Sequence, residues 1–283
     1  MLEIIKDALI DSIKLLPFLF ITYLLMEFLE HKTSSKINKT IKKSGKFGPL
    51  IGGALGIIPQ CGFSVMATNL YMGRIITLGT LISIYLTTSD EMLPILISEE
   101  VSITAILKIL SVKLLIGVIA GVIIDIIFNN LNKKHTTEES ADFCEHEHCH
   151  CEKGIVKSAL HHTLSIFAFI LIITLVLNIL MYFIGEETLS NLLQNNRILG
   201  PVIAALIGLI PNCASSVIIT KLYIEKVITA SIMIAGLLVN AGVGLLVLFR
   251  VNRDWKENAK ITAILYSIGA ISGIILELIG FTI

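Results

Sequence analysis

Long apolar runs separated by short polar loops dominate the chain. Runs such as LLPFLFITYLLMEFL at 15–29 and ISGIILELIGFTI at 271–283 approach the ~18–20 residues that a membrane-spanning helix needs. The strict polar and apolar alternation typical of barrel strands is missing from the sequence. With 54% hydrophobic and 16% charged residues, against about 25% charged in soluble domains, the pattern predicts an all-α polytopic membrane protein.

The pattern of apolar and polar positions occurs twice along the chain. GIIPQCGFSVMATNLY at 56–71 is followed 152 residues later by GLIPNCASSVIITKLY at 208–223. The same offset pairs Pro59 with Pro211, Cys61 with Cys213, Tyr71 with Tyr223 and Asp125 with Glu277. We therefore expect two membrane repeats, 1–131 and 153–283, joined by a polar linker at 132–152. Duplicated halves are common in secondary transporters; a duplication that only enlarges a helix bundle is the alternative.

Loop charges indicate that the two repeats have opposite orientations. The loop at 31–46 is strongly basic, which is typical of the cytoplasmic side, whereas its counterpart at 185–197 is acidic. The acidic segment at 98–102 likewise has a basic counterpart at 250–260. Because each comparison reverses sign, we expect two inverted-topology repeats.

The segment 47–72 is predicted to be a re-entrant hairpin. A chain that is inside at Lys46 and outside at Glu99 crosses the membrane an odd number of times, and 75–97 supplies one crossing. The two arms of 47–72 have about 12 residues each, or roughly 18 Å, which is too short for a core of ~30 Å. Each repeat is therefore expected to contain about three spanning helices and one helical hairpin, at 47–72 and 199–224. One kinked spanning helix in each place is the alternative.

The hairpin tips carry the first candidate substrate-binding residues, which are Pro59, Gln60, Cys61, Pro211, Asn212 and Cys213. Proline breaks a helix, and broken backbone at membrane depth is tolerated where it is buried or lines a cavity. Two tips entering from opposite faces would meet near the midplane. Thiolates prefer soft metals and thiophilic ions, so the tips predict a shared site for such an ion. The alternative is that both cysteines are small buried hydrophobic residues.

Further candidates follow the apolar run at 75–97. Asp90 and Glu91 lie near its end, and the equivalent stretch of the second half has Asn240 and no acid. Ionisable residues inside a membrane are costly and usually functional. We expect Asp90, Glu91 and Asn240 to bind substrate, and Asp90 to carry a proton; an interfacial acid pair is the alternative. Asp125 and Glu277 are expected at the membrane interface.

The linker contains a separate metal-binding pattern, CEHEHCHC at 144–151. Its candidate ligands are Cys144, His146, His148, Cys149, His150 and Cys151. Histidine and thiolate are common ligands of zinc, nickel and copper. Adjacent ligands cannot all close one tetrahedron, so we expect a cytoplasmic loop that gathers or senses metal, and no resident cofactor. An accidental His-rich segment is the alternative.

With these motifs in view, the chain resembles the ten-helix heavy-metal exporter family, which is related to ArsP-type arsenical permeases. The resemblance rests on GIIPQCGFS, GLIPNCASS, the inverted halves and the Cys- and His-rich linker, and it covers nearly the whole chain. Counting each hairpin as two helices gives ten. Members are described as arsenic efflux proteins or manganese transporters, so the resemblance implies export of a metal or metalloid and leaves the ion open.

These observations predict proton-coupled secondary efflux of a heavy-metal or metalloid ion across the cytoplasmic (inner or plasma) membrane, and no enzyme activity. No phosphate-binding G-x-x-x-x-G-K-[ST] motif is present. A manganese transporter, an intramembrane thiol oxidoreductase and a membrane metal sensor are the alternatives, in that order. The expected partners are the ion and the lipid bilayer, with a homo-oligomer left open. The 22 basic and 22 acidic residues give no indication of nucleic-acid binding.

Overall fold

The structure is a computed structural model. It describes residues 47–58, 61–89, 91–132 and 199–283, together with scattered positions within 13–24 and 160–179. Every regular element in the four continuous segments is an α-helix, as the apolar pattern predicts. The linker candidates from Cys144 to Cys151 lie outside the described residues.

The first half of the described chain contains five helices. They are α1 (Gly48–Gly56), α2 (Cys61–Met72), α3 (Leu78–Thr87), α4 (Met92–Ser98) and α5 (Ile103–Asn132). The second half contains α6 (Leu199–Gly208), α7 (Cys213–Ile224), α8 (Ala230–Val239), α9 (Val243–Val251) and α10 (Trp255–Ile279). Each helix of the second set begins within one residue of the position 152 residues after its counterpart. The sequence offset is therefore also an offset of helix boundaries.

Equivalent turns and caps occur in both halves. After α2 the chain turns at Arg74 with φ 55°, and after α7 it turns at Lys226 with φ 61°. The next helices, α3 and α8, are preceded by the N-caps Thr77 and Thr229, whose side-chain oxygens accept from backbone N–H groups of the first turn. Such N-caps satisfy donors that a helix start leaves without a partner.

The acids expected at the interface hold these two caps. Asp125 on α5 accepts a hydrogen bond of 2.7 Å from the Thr77 hydroxyl, and it also accepts from the Gly79 N–H. Glu277 on α10 accepts one of 2.8 Å from the Thr229 hydroxyl. Each acid therefore joins the start of a short helix to the end of a long one.

Small residues allow the helices within each half to approach closely. A Cβ on Gly208 would lie 2.1 Å from the carbonyl oxygen of Gly236, so α6 and α8 meet backbone to backbone. Small residues at helix contacts are typical of membrane proteins. In this way α1 packs on α3 and α5, and α6 packs on α8 and α10.

The halves contact each other through the second arms of the expected hairpins. Helix α2 packs on α9, and α7 packs on α4. Each arm therefore lies against an element of the opposite half. This exchange places α7, which begins at Cys213, beside the first half of the chain.

Three helices are long and apolar enough to cross a membrane within the described residues. They are Ile103–Phe128, Ala230–Val251 and Trp255–Ile279. The second of these is interrupted at 240–242, and its counterpart in the first half is divided into one helix that ends at Thr87 and another that begins at Met92. The expected crossing at 75–97 is thus two helices, α3 and α4. We call the described residues between α3 and α4, which are Thr88, Ser89 and Glu91, the first break, and residues 240–242 the second break.

The arms of the expected hairpins are short in the structure. Helices α1 and α6 have 9 and 10 residues, and α2 and α7 have 12 each. At 1.5 Å per residue these lengths are roughly 14–18 Å, about half of a ~30 Å hydrocarbon core. None of the four helices can cross a bilayer alone.

Candidate functional site

A small buried cavity lies where the two breaks and helix α7 meet. Its lining residues are Thr88, Ser89 and Met92 from the first half and Ser216, Leu237 and Asn240 from the second. Its volume is about 10 Å³, close to the space of one water molecule. The cavity therefore has room for one water or one dehydrated ion.

Asn240, a candidate from the sequence, forms the second break and points its amide toward α7. It is only 4% exposed. Its Nδ2 donates to the Ser215 hydroxyl over 3.1 Å, and its Oδ1 accepts from the Gly242 N–H over 2.9 Å. The second bond spans the break, where Gly242 has φ 54°, a conformation that suits glycine. The Asn240 side chain thus shapes the break and connects it to α7.

The turn at Pro211–Cys213 is linked to the second break through Ser215. Asn212 is buried and caps α7 by accepting from the Ala214 N–H. The Ser215 hydroxyl donates to the Asn212 carbonyl over 2.8 Å. Ser215 therefore joins two residues predicted from the sequence, Asn212 and Asn240, although Ser215 itself was not a candidate.

Cys213 occupies the first turn of α7, one turn before the cavity-lining Ser216. Its side chain is buried, with 7% exposed, and its carbonyl accepts from the Ser216 hydroxyl over 2.8 Å. Pro211 precedes it and is partly buried. The thiol is close to the cavity along the chain but does not line it; the cavity is lined by four polar residues together with Met92 and Leu237.

Several sequence candidates are not placed by the structure. Pro59, Gln60 and Asp90 lie outside the described residues, and only the backbone of Cys61 is described, as the first residue of α2. Glu91 is partly buried at the start of α4, where its side chain makes no capping hydrogen bond. The meeting of two hairpin tips therefore stays a prediction. In the described part of the chain, no three His, Cys, Asp or Glu residues form a group that could hold a metal.

Lys113 is a residue that the sequence reasoning missed. It lies on α5, is wholly buried, and donates from Nζ to the carbonyl of Thr88 in the first break. A lysine within the apolar run 103–128 is itself a functional signal. The comparison of halves gives a second signal, because the equivalent residue of α10 is Leu265, which is also wholly buried.

The 152-residue offset relates the cavity to a second place in the structure, and a network of hydroxyl groups lies there. The Tyr85 hydroxyl lies 2.5 Å from the Thr68 hydroxyl and donates to the Gly244 carbonyl over 3.1 Å. The residues equivalent to Tyr85 and Gly244 are Leu237 and Met92, both of which line the cavity. In the described part of the chain, larger or differently placed side chains therefore stand at these two equivalent positions, and the hydroxyl network lies where the repeat would place a second cavity.

The family model described as "Putative, 10TM heavy-metal exporter" matches residues 1–186 and 165–282. Searches of curated proteins and of solved structures give no match. The family match covers nearly the whole chain and agrees with the three membrane-capable helices. The chain belongs to this ten-transmembrane heavy-metal exporter family of multi-pass membrane proteins.

Proposed function

We propose that the protein is a secondary-active exporter of a heavy-metal or metalloid ion, and that the ion binds at the cavity between the two breaks. The observation that carries this proposal is the buried cavity of about 10 Å³ with residues of both halves in its wall. Transporters built from duplicated halves bind substrate between the repeats, commonly at discontinuous helices. The family supports heavy-metal export and leaves the ion open.

The proposal includes an inverted arrangement of the repeats 1–131 and 153–283. The helix boundaries recur at the same offset, and the contacts Thr77–Asp125 and Thr229–Glu277 are equivalent. The reversed loop charges supply the opposite orientation. In an inverted pair, exchange of the conformations of the two halves turns an inward-open site into an outward-open one.

Re-entrant hairpins at 47–72 and 199–224 fit this arrangement. Their helices are too short to span, and their second arms pack on α4 and α9 of the opposite half. The turn at Pro211–Cys213 meets the second break through Ser215. Gln60 and Cys61 are included in the proposed site because they stand at the positions equivalent to Asn212 and Cys213, although Phe63 replaces Ser215 in the first half.

Soft-ion export is the main proposal for the substrate. Cys61 and Cys213 stand at equivalent positions of the two tips, and Met92 adds a thioether to the cavity wall. Thiolates and thioethers favour soft ions such as Cd²⁺ or trivalent arsenic. The ion would lose its water shell on entering the cavity, because the cavity has no room for a hydrated ion. In this proposal the two thiols bind the ion on its path to and from the cavity, since neither Cys61 nor Cys213 is among the described residues that line it.

A manganese transporter is the second candidate. Four of the lining residues, Thr88, Ser89, Ser216 and Asn240, carry side-chain oxygen atoms, and Mn²⁺ is suited to oxygen ligands. In that case Glu91 and Asp90 would add carboxylates, and the cysteines would be incidental.

The proposed driving force is an ion gradient, with Asp90 as the proton carrier. The Cys- and His-rich linker, on the cytoplasmic side, would collect metal such as zinc, nickel or copper before transport. It raises the local concentration of metal without forming part of the path.

The test is uptake into inside-out vesicles, measured separately for arsenite, Cd²⁺, Zn²⁺ and Mn²⁺. The wild type is compared with Cys61→Ser and Cys213→Ser, and Cys144→Ser in the linker is the matched control. Loss of a thiolate ligand should lower soft-ion transport about tenfold or more, since about 1.4 kcal/mol is tenfold in affinity, and should affect Mn²⁺ little.

Two outcomes would oppose the proposal. Absence of uptake for every ion, by protein that is inserted in the vesicles, would remove metal export. A double variant of Cys61 and Cys213 that exports soft ions at the wild-type rate would remove the thiol site and favour manganese.

A further inference from the structure

The Lys113 ammonium lies at a helix end that is suited to bind a cation. Helix α3 ends at Thr87, and Thr88 is its C-cap. The last carbonyls of a helix have no partner in that helix, and its dipole places partial negative charge there. Lys113 Nζ donates to the Thr88 carbonyl at this end.

The same helix end borders the cavity. Thr88 and Ser89 lie in the cavity wall, opposite Asn240 and Ser216 of the second half. A cation in the cavity and the ammonium of Lys113 would therefore share the negative end of α3. Two positive charges that share one helix end repel each other, and most strongly where water is excluded, so the two sites cannot both be filled at full affinity.

We propose that Lys113 is a tethered cation that occupies the cation site of α3 when cargo is absent, and that a cargo metal cation displaces it. This inference rests on the proposed function, in that the cargo is taken to be a metal cation. The carbonyl of Thr88 is the shared ligand. Displacement lowers the affinity for cargo, and the return of the ammonium helps to expel it.

The second half shows that this charge is not required for packing. Leu265 occupies the position on α10 that corresponds to Lys113, and both side chains are wholly buried. A long apolar side chain is therefore compatible with this kind of helix contact. The charge is present in one half only, which is the half whose break supplies Thr88 and Ser89.

The experiment measures binding and transport with three variants. K113M removes the charge and keeps the chain length, and K113Q removes the charge and keeps a hydrogen-bond donor. K108M is the matched control, because Lys108 is an exposed lysine on the same helix. Binding of Cd²⁺ and Mn²⁺ to purified full-length protein is measured by calorimetry, and flux is measured in proteoliposomes.

We expect K113M and K113Q to bind the transported cation at least about tenfold more tightly than the wild type and to transport it more slowly. K108M should match the wild type in both measurements. A merely structural role for Lys113 would weaken binding or leave it unchanged, so the direction of the affinity change separates the two roles.

Unchanged or weaker binding by a folded K113M or K113Q would overturn the inference. If K113M fails to fold, K113Q decides, since its amide can still donate to the Thr88 carbonyl. Failure of the proposed function has a different result, because the wild type itself would then neither bind nor transport these ions.

Discussion

The link between Asn240 and Ser215 gives the sharpest structural prediction. Asn240→Ala removes the hydrogen bond to the Ser215 hydroxyl and the one from the Gly242 N–H. A net hydrogen bond contributes about 1 kcal/mol, and a buried donor without a partner costs about 1–3 kcal/mol. Because Gly242 is buried, the variant should lose about 2–4 kcal/mol of stability. It should also lose transport, because the second break would no longer be held to α7.

A double-mutant cycle measures this link directly. Ser215→Ala and Asn240→Ala, alone and combined, are compared by denaturant unfolding and by thermal unfolding in detergent. We expect a coupling energy of about 1 kcal/mol for this direct contact, against about 0.3–0.5 kcal/mol of scatter for independent sites. Ser231→Ala is the control, because the Ser231 hydroxyl is buried and has no hydrogen-bond partner in the described part of the chain.

Asn240→Asp adds the effect of a charge at the same position. It keeps an acceptor for the Gly242 N–H and removes the donor to Ser215, but it also buries a carboxylate, and an unpaired buried charge is costly. Its loss of stability at neutral pH should therefore exceed that of the alanine variant and should shrink as the pH falls and the carboxylate is protonated. Additive effects of Asn240→Ala and Ser215→Ala would refute the link. So would a stability loss no larger than that of Ser231→Ala.

Three further predictions concern coupling, the linker and topology. Asp90→Asn should abolish transport or its pH dependence, and a wild-type pH profile in flux assays would make Asp90 interfacial. Deletion of 135–152 should reduce flux at scarce metal and leave it measurable at saturating metal; complete loss in an inserted protein would place the site in the linker. The topology test places single cysteines at the equivalent exposed positions Thr104 and Lys256 in a cysteine-free background. The cysteine at position 104 should react with an impermeant external reagent, and the cysteine at position 256 should be shielded from it. Labelling of both would exclude the inverted arrangement.

The repeat was visible in the sequence because the fold requires particular side chains at equivalent positions of the two halves. Thr77 and Thr229 cap helices, Asp125 and Glu277 hold those caps, and glycines mark close helix contacts. Each of these roles demands a particular residue type. The same residue types therefore occur at these positions in both halves, and a single offset of the sequence aligns them.

The breaks were harder to predict than the repeat. Asn240 and Gly242 carry a visible signal, since asparagine and glycine favour irregular backbone. In the first half the run continues through Tyr85 and Leu86 into threonines and serine, which also occur within membrane helices. The apolar pattern sets the total length of the run at 75–97, but it does not show that the run is two helices.

The polar contacts of the site depend on which helices meet, and the sequence does not give that information. Ser and Thr in helices commonly bond to their own backbone, as Thr220 does to the Ser216 carbonyl. Ser215 differs only because Asn240 of a distant segment lies beside it. Lys113 was detectable in principle, by comparison with Leu265, since a duplicated chain reveals its specialised positions where equivalent residues differ.

The residues that differ between the halves determine which of the inward-open and outward-open states is lower in energy, because the shared residues cannot favour either state. Two identical inverted halves would give the inward-open and outward-open states equal energy, apart from the membrane itself. Here the Tyr71 hydroxyl donates to Glu257, whose other oxygen accepts from Asn252, whereas the position equivalent to Glu257 is Ala105. Hydrogen bonds to charged groups contribute about 1.5–3 kcal/mol, and this contact joins α2 to α10, whereas Ala105 on α5 cannot form its counterpart with Tyr223. Under the proposed inverted arrangement, the states that keep and break this contact must differ in energy, so the preference for one orientation resides in the residues that the repeat does not share.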